Sequence, residues 1–102
     1  MDFLKKIRAS KLGTISLPKK ERTELGFEPG TLMELHLQGE EIWIYHSQND
    51  ANKNQRNLSN KGTLTIPAEF RNLLNITRET ELYLFVDREM EAFIIKLNDS
   101  IE

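Results

Sequence analysis

Thr14-Ile-Ser-Leu17 and Thr63-Leu-Thr-Ile66 each alternate a hydroxyl side chain with an apolar one, the period of a strand with one wet and one dry face. Pro18 and Pro67 end these runs, because proline has no N–H to give a ladder. Proline suits a first helical position, and Gly26 and Asn75, each eight residues further on, tolerate the left-handed end of a helix. A two-turn helix is predicted between them. Met33, Leu35 and Leu37 then alternate with Glu34 and His36, Gln38-Gly-Glu40 makes a turn, and Ile42-Trp-Ile-Tyr45 returns, which reads as a β-hairpin. Leu82, Leu84 and Val86, the turn around Asp87-Arg-Glu89, and Ala92-Phe-Ile-Ile95 predict its twin.

The same order of elements thus occurs twice, and a shift of 49 aligns the two copies. Gly13/Gly62, Thr14/Thr63, Pro18/Pro67, Arg22/Arg71, Leu25/Leu74, Thr31/Thr80 and Leu35/Leu84 are identities in that one register. Ile15/Leu64, Ser16/Thr65, Leu17/Ile66, Phe27/Ile76 and Leu37/Val86 keep the polar and apolar period, so the duplication is real. Residues 1–47 form the first repeat and 60–102 the second. Residues 48–59 are a linker, polar and asparagine-rich, whose end aligns with residues 5–10 and is available to pair as the first strand of the second repeat. Each copy, at about 45 residues, is too small to bury its hairpin alone, so the copies are expected to pack on each other.

Length and composition narrow the function. A chain of 102 residues makes one small unit, too small for a large cofactor or a deep substrate cleft. It has no cysteine, no apolar run long enough to span a membrane and no signal-peptide pattern at Met1, so a soluble cytoplasmic protein is expected. His36 and His46 stand without ligand-spaced partners, and no carboxylate is framed for acid chemistry, so neither metal, cofactor nor catalysis is expected. The net charge of −2 hides a pattern. Residues 1–22 hold seven Lys/Arg against two acids, 23–52 hold six acids and no Lys or Arg, 53–72 hold four bases against one acid, and 73–102 hold three bases against seven acids. If the basic segments share one face and the acidic ones another, the molecule presents a positive surface despite its low pI.

Asn60-Lys-Gly-Thr-Leu-Thr-Ile-Pro-Ala-Glu-Phe-Arg-Asn-Leu-Leu-Asn-Ile76 resembles the AbrB/MazE/SpoVT-type swapped-hairpin DNA-binding domain family, with its glycine, strand, Ile-Pro and short arginine-bearing helix ahead of a hairpin. The first copy keeps Gly13, Pro18, Arg22, Leu25 and Gly26 but has Glu21 and Glu24 where the second has Phe70 and Leu73, so its helix is expected to be the more solvated. The resemblance covers about 85 of the 102 residues. It implies a mainly β fold of two β-α-β-β repeats interlocked as a swapped-hairpin (double-split) barrel, an intramolecular pseudodimer. A homodimer of such pseudodimers is left open.

What the resemblance implies about function is a transcriptional regulator that contacts double-stranded DNA through its N-terminal strands and short helices. By position in the motif, Arg22 and Arg71 would do most of the reading, and a guanidinium fork suits guanine edges or phosphate. The plainer alternative is that they pair with Glu21 and Glu69. Arg8, Lys11, Lys19, Lys20, Arg56 and Lys61 would be phosphate contacts. Thr14 and Thr63 stand where many members carry a basic residue, and offer only hydrogen bonds. Two other functions compete. An antitoxin of the MazE type ranks second, because only Asn98-Asp-Ser-Ile-Glu102 is left beyond the last predicted strand to wrap a toxin. A protein-interaction module working through the acidic hairpins ranks third.

Overall fold

Eight strands and two short helices follow one another in the computed structural model, which describes residues 1–48 and 54–98. They are β1 (Asp2–Ile7), β2 (Thr14–Ser16), α1 (Lys19–Leu25), β3 (Leu32–Gln38), β4 (Glu41–His46), β5 (Gln55–Asn57), β6 (Thr63–Thr65), α2 (Ala68–Leu73), β7 (Leu82–Asp87) and β8 (Ala92–Lys96). The fold is mainly β, with the predicted helices and hairpins in place. Linker residues 49–53 and the tail 99–102 lie outside the described residues.

The helix entries differ by one residue from expectation. Pro18 and Pro67 are extended, with ψ of 137° and 139°, so each is a cap whose carbonyl accepts the N–H of Arg22 or Arg71 at 3.0 and 3.1 Å. At the other ends Gly26 (φ 75°) and Asn75 (φ 56°) adopt the left-handed conformation that stops a helix.

The strands form an open six-stranded antiparallel sheet, β1-β7-β8-β4-β3-β5, and a separate ribbon, β2-β6. Among the described residues the sheet does not close into a barrel. β2 and β6 spend their three residues pairing with each other, so no strand bridges β1 to β5. Among the described residues, every pairing except the two hairpins joins the first repeat either to the second or to β5, the strand at the end of the linker that aligns with the start of the first repeat. β1 lies on β7, β5 on β3, β4 on β8 and β2 on β6. Lys6 faces Tyr83 as Gln55 faces Glu34, and these pairs are 49-shift equivalents, as are the central partners Ile44 and Phe93 and the ribbon partners Ile15 and Leu64.

One face of the sheet carries the main core, in which Met33, Leu35, Ile42, Ile44, Leu82, Leu84, Val86, Phe93 and Ile95 pack with Ile15, Leu17, Phe27, Leu64, Ile66 and Phe70 from the ribbon and helices. Each such side chain contributes about 2 kcal/mol by leaving water. The core is thus shared between the two repeats. The other face carries a smaller cluster of Phe85, Ala92 and Ile94 under Trp43, Tyr45 and Tyr83. Phe3 joins it edge-on to Phe85, with ring centroids 5.4 Å apart.

The helices are not solvated as their sequences suggest. Glu21 is buried, whereas Leu73 is 63% exposed. Arg88, at the tip of the second hairpin, explains the first of these. Its guanidinium donates to Asp2 Oδ2 at 2.8 Å and to Glu24 Oε1 at 3.0 Å, and lies 4.0 Å from Glu21. Among the described residues no helix is long and apolar enough to cross a membrane.

Candidate nucleic-acid interface

The β2-β6 ribbon joins the two repeats at matching turns. Ser10 and Ser59 each accept the glycine N–H, at 2.9 Å from Gly13 and 3.0 Å from Gly62, and each serine hydroxyl accepts the N–H of the following threonine. The glycine carbonyls then lengthen the ladder, accepting Ile66 N–H at 2.8 Å on Gly13 and Leu17 N–H at 3.0 Å on Gly62. Sequence reasoning passed over these serines, although their recurrence under the 49 shift was a usable signal.

Arg22 and Arg71 flank this ribbon. Arg22 donates Nε–H to the Leu17 carbonyl at 2.8 Å and Arg71 donates to Ile66 at 3.1 Å. Each guanidinium then seats against the glycine of the opposite repeat, Arg22 on Gly62 and Arg71 on Gly13. Both glycines are buried with positive φ, and a Cβ on either would come inside 3.0 Å of the guanidinium. The alternative of ion pairs with Glu21 and Glu69 does not hold. Among the described residues neither arginine has a carboxylate within 4.0 Å, and Glu21 faces Arg88 instead. Both arginines are half-buried, with Nε committed.

The lysines divide around this frame. Lys19, Arg22 and Lys61 line one groove of about 460 Å³ with Phe27 and Asn60, so a cation from each repeat meets a third there. Lys11 is exposed in the turn that carries Gly13, and Lys20 is exposed on α1. Arg8 and Arg56 are held elsewhere. Arg8 lies 3.5 Å from Glu81, and Arg56 donates to the Gln55 carbonyl at 2.7 Å from the edge strand β5. The separation of charge is partial, because Glu28 lines the same groove as Lys19 and Lys61.

The histidines have structural partners. His46 Nε2 lies 3.0 Å from the Leu25 carbonyl and stacks edge-on to Phe27, so it ties α1 to the first hairpin. His36 Nε2 lies 2.9 Å from Glu34 Oε1. The buried Glu34 carboxylate accepts the Gln48 N–H at 2.9 Å and the Ser47 hydroxyl at 3.3 Å. The Gln48 N–H and then His36 hold its carboxyl below the ordinary carboxylate range, against the opposing effect of burial.

No family model matches the chain, and no curated protein matches it. Among solved structures, the solution structure of PHS018 from Pyrococcus horikoshii is similar in fold, with a TM-score of 0.50 and 21% identity over 94% of this chain and 90% of that one. At that identity the likeness extends to the fold alone.

Proposed function

We propose that the protein is a DNA-binding transcriptional regulator of the cytoplasm, in which residues 1–47 and 60–102 interlock as an AbrB-type pseudodimer and one chain makes one complete binding unit. The reciprocal pairing of β1 with β7 and β5 with β3 supports the interlocked reading. The observation that carries the function is the ribbon end. There Lys19 and Lys61, from opposite repeats, share a groove with Arg22, while Lys11 and Arg71 stand by the equivalent turn. Lys11, Lys19, Lys20 and Lys61 supply phosphate contacts, and the terminal nitrogens of Arg22 and Arg71 add two further cations at fixed positions. Arg8 and Arg56 are secondary, because one is paired with a carboxylate and the other is turned to its own backbone.

Fluorescence anisotropy with the protein's own upstream DNA and a scrambled duplex, across a salt series, tests this reading. Binding that falls as a steep power of salt concentration is expected, because each neutralised phosphate releases counterions. Absence of binding to any duplex at low salt overturns it.

A further inference from the structure

The ribbon alternates strictly, so its two faces differ in chemistry. Ile15 and Leu64 face each other and are buried in the core. Their neighbours therefore point outward, and all four are hydroxyls: Thr14 opposite Thr65, and Ser16 opposite Thr63. Thr14 and Thr65 place their Oγ1 atoms 3.5 Å apart, Thr63 Oγ1 lies 2.6 Å from Ser59 Oγ, and Ser16 is exposed. No lysine or arginine lies within either strand. The guanidiniums stand at its ends, Arg71 on the glycine that precedes Thr14 and Arg22 on the glycine that precedes Thr63.

Resting on the DNA reading above, we infer that base selection belongs to the hydroxyl ribbon of Thr14, Ser16, Thr63 and Thr65, and that Arg22 and Arg71 are positioning residues that fix the ribbon rather than base readers. Three physical points support this. A two-stranded ribbon fits the major groove of B-DNA, where a hydroxyl can donate to or accept from a base edge and a threonine methyl can meet the thymine methyl. Each arginine is held at the end of the ribbon by its Nε bond to a carbonyl and by its seat on a glycine, which leaves only the terminal nitrogens to meet DNA, as the fixed cations proposed above. Finally, at about 3.4 Å per residue, hydroxyls two positions apart on one strand span about two base-pair steps, so the ribbon matches the spacing of stacked pairs.

The repeat adds a detail that can be checked. Thr14 and Thr63 are equivalent under the 49 shift, but Ser16 corresponds to Thr65, a difference of one methyl group. The selected DNA core is therefore near-palindromic, with one asymmetric position.

Duplexes selected by the intact protein from a random pool, sequenced and then titrated against a scrambled duplex, test the inference. The wild type is expected to yield a short near-palindrome. Thr14→Val, Ser16→Ala and Thr65→Val are each expected to lower the ratio of selected to scrambled affinity about tenfold, with binding to the scrambled duplex and its salt dependence unchanged. Thr65→Ser, which makes the outward hydroxyls of the two strands alike and is too mild to unfold the ribbon, is expected to render the core symmetric. Arg22→Lys and Arg71→Lys are expected to blur the preference at the ribbon positions without creating a new one, a change that a purely stabilising role would not produce. Hydroxyl variants that keep the wild-type preference while the lysine variants rewrite it make the arginines the readers and overturn the inference alone. Wild-type binding with no selected sequence also overturns it and leaves the DNA reading standing. Failure of the wild type to bind any duplex removes both.

Discussion

The Arg22 guanidinium fills the space that a side chain at Gly62 would occupy, so the helix of one repeat is seated on the turn of the other. Arg71 repeats the contact on Gly13. Substituting either glycine with alanine forces a left-handed residue to carry a Cβ and pushes that Cβ into a half-buried guanidinium. The first effect costs about 1–2 kcal/mol and the second adds about 1–3 kcal/mol. Arg22→Ala removes the collision but not the backbone strain. Urea denaturation of Gly62→Ala, Arg22→Ala and the double variant should therefore show the pair less destabilised than the sum of the singles.

Arg88 ties the second hairpin to the N-terminal strand and to α1 through Asp2, Glu24 and the buried Glu21. Its equivalent in the first hairpin is Gly39, so only one half of the molecule carries this clamp. Arg88→Ala is expected to lower stability by about 1 kcal/mol at low salt, less as salt screens the network, and Gly39→Ala should not reproduce that salt dependence. Thermal melts at two ionic strengths distinguish the two.

Glu34 predicts an acid-side loss of stability. Its carboxyl titrates below its ordinary value of 4.5 in the folded chain, so the unfolded chain binds the proton more readily. The stabilisation it gives is fully present above pH about 4.5 and is lost as pH falls through the lower folded value. The stability difference between wild type and Glu34→Gln should be constant from pH 7 to about 5 and shrink below that. Urea midpoints across the series measure it, and a difference that grows on acidification contradicts the assignment.

Under the proposed DNA reading the cations fall into two classes. Lys19→Ala and Lys61→Ala each remove an exposed charge from the ribbon-end groove and are expected to reduce the salt slope of binding by about one phosphate contact, equally for all sequences. Arg8 is already paired with Glu81, so Arg8→Ala should leave the slope nearly unchanged. Salt titrations of the three variants by anisotropy test the division.

The β-α-β-β order of each repeat and the duplication are legible in the amino-acid sequence, whereas the opening strand β1 is not, because its residues show no clear alternation. Strand alternation, the stops at Pro18 and Pro67, the left-handed ends at Gly26 and Asn75 and the two hairpins are all governed by contacts within a few residues, so they are written locally. The period-2 pattern also told which side of β2 and β6 faces the core. The remaining features depend on partners far apart in the chain. The pairing of β2 with β6 gave an open sheet with a separate ribbon in place of a barrel, because hydrogen-bond partners across some fifty residues leave no trace in local periodicity. The same distance hid the seats of Arg22 and Arg71. Burial of Glu21 under Arg88 and exposure of Leu73 ran against residue type, since which face of a two-turn helix meets the core is set by the elements packed on it and not by the helix alone.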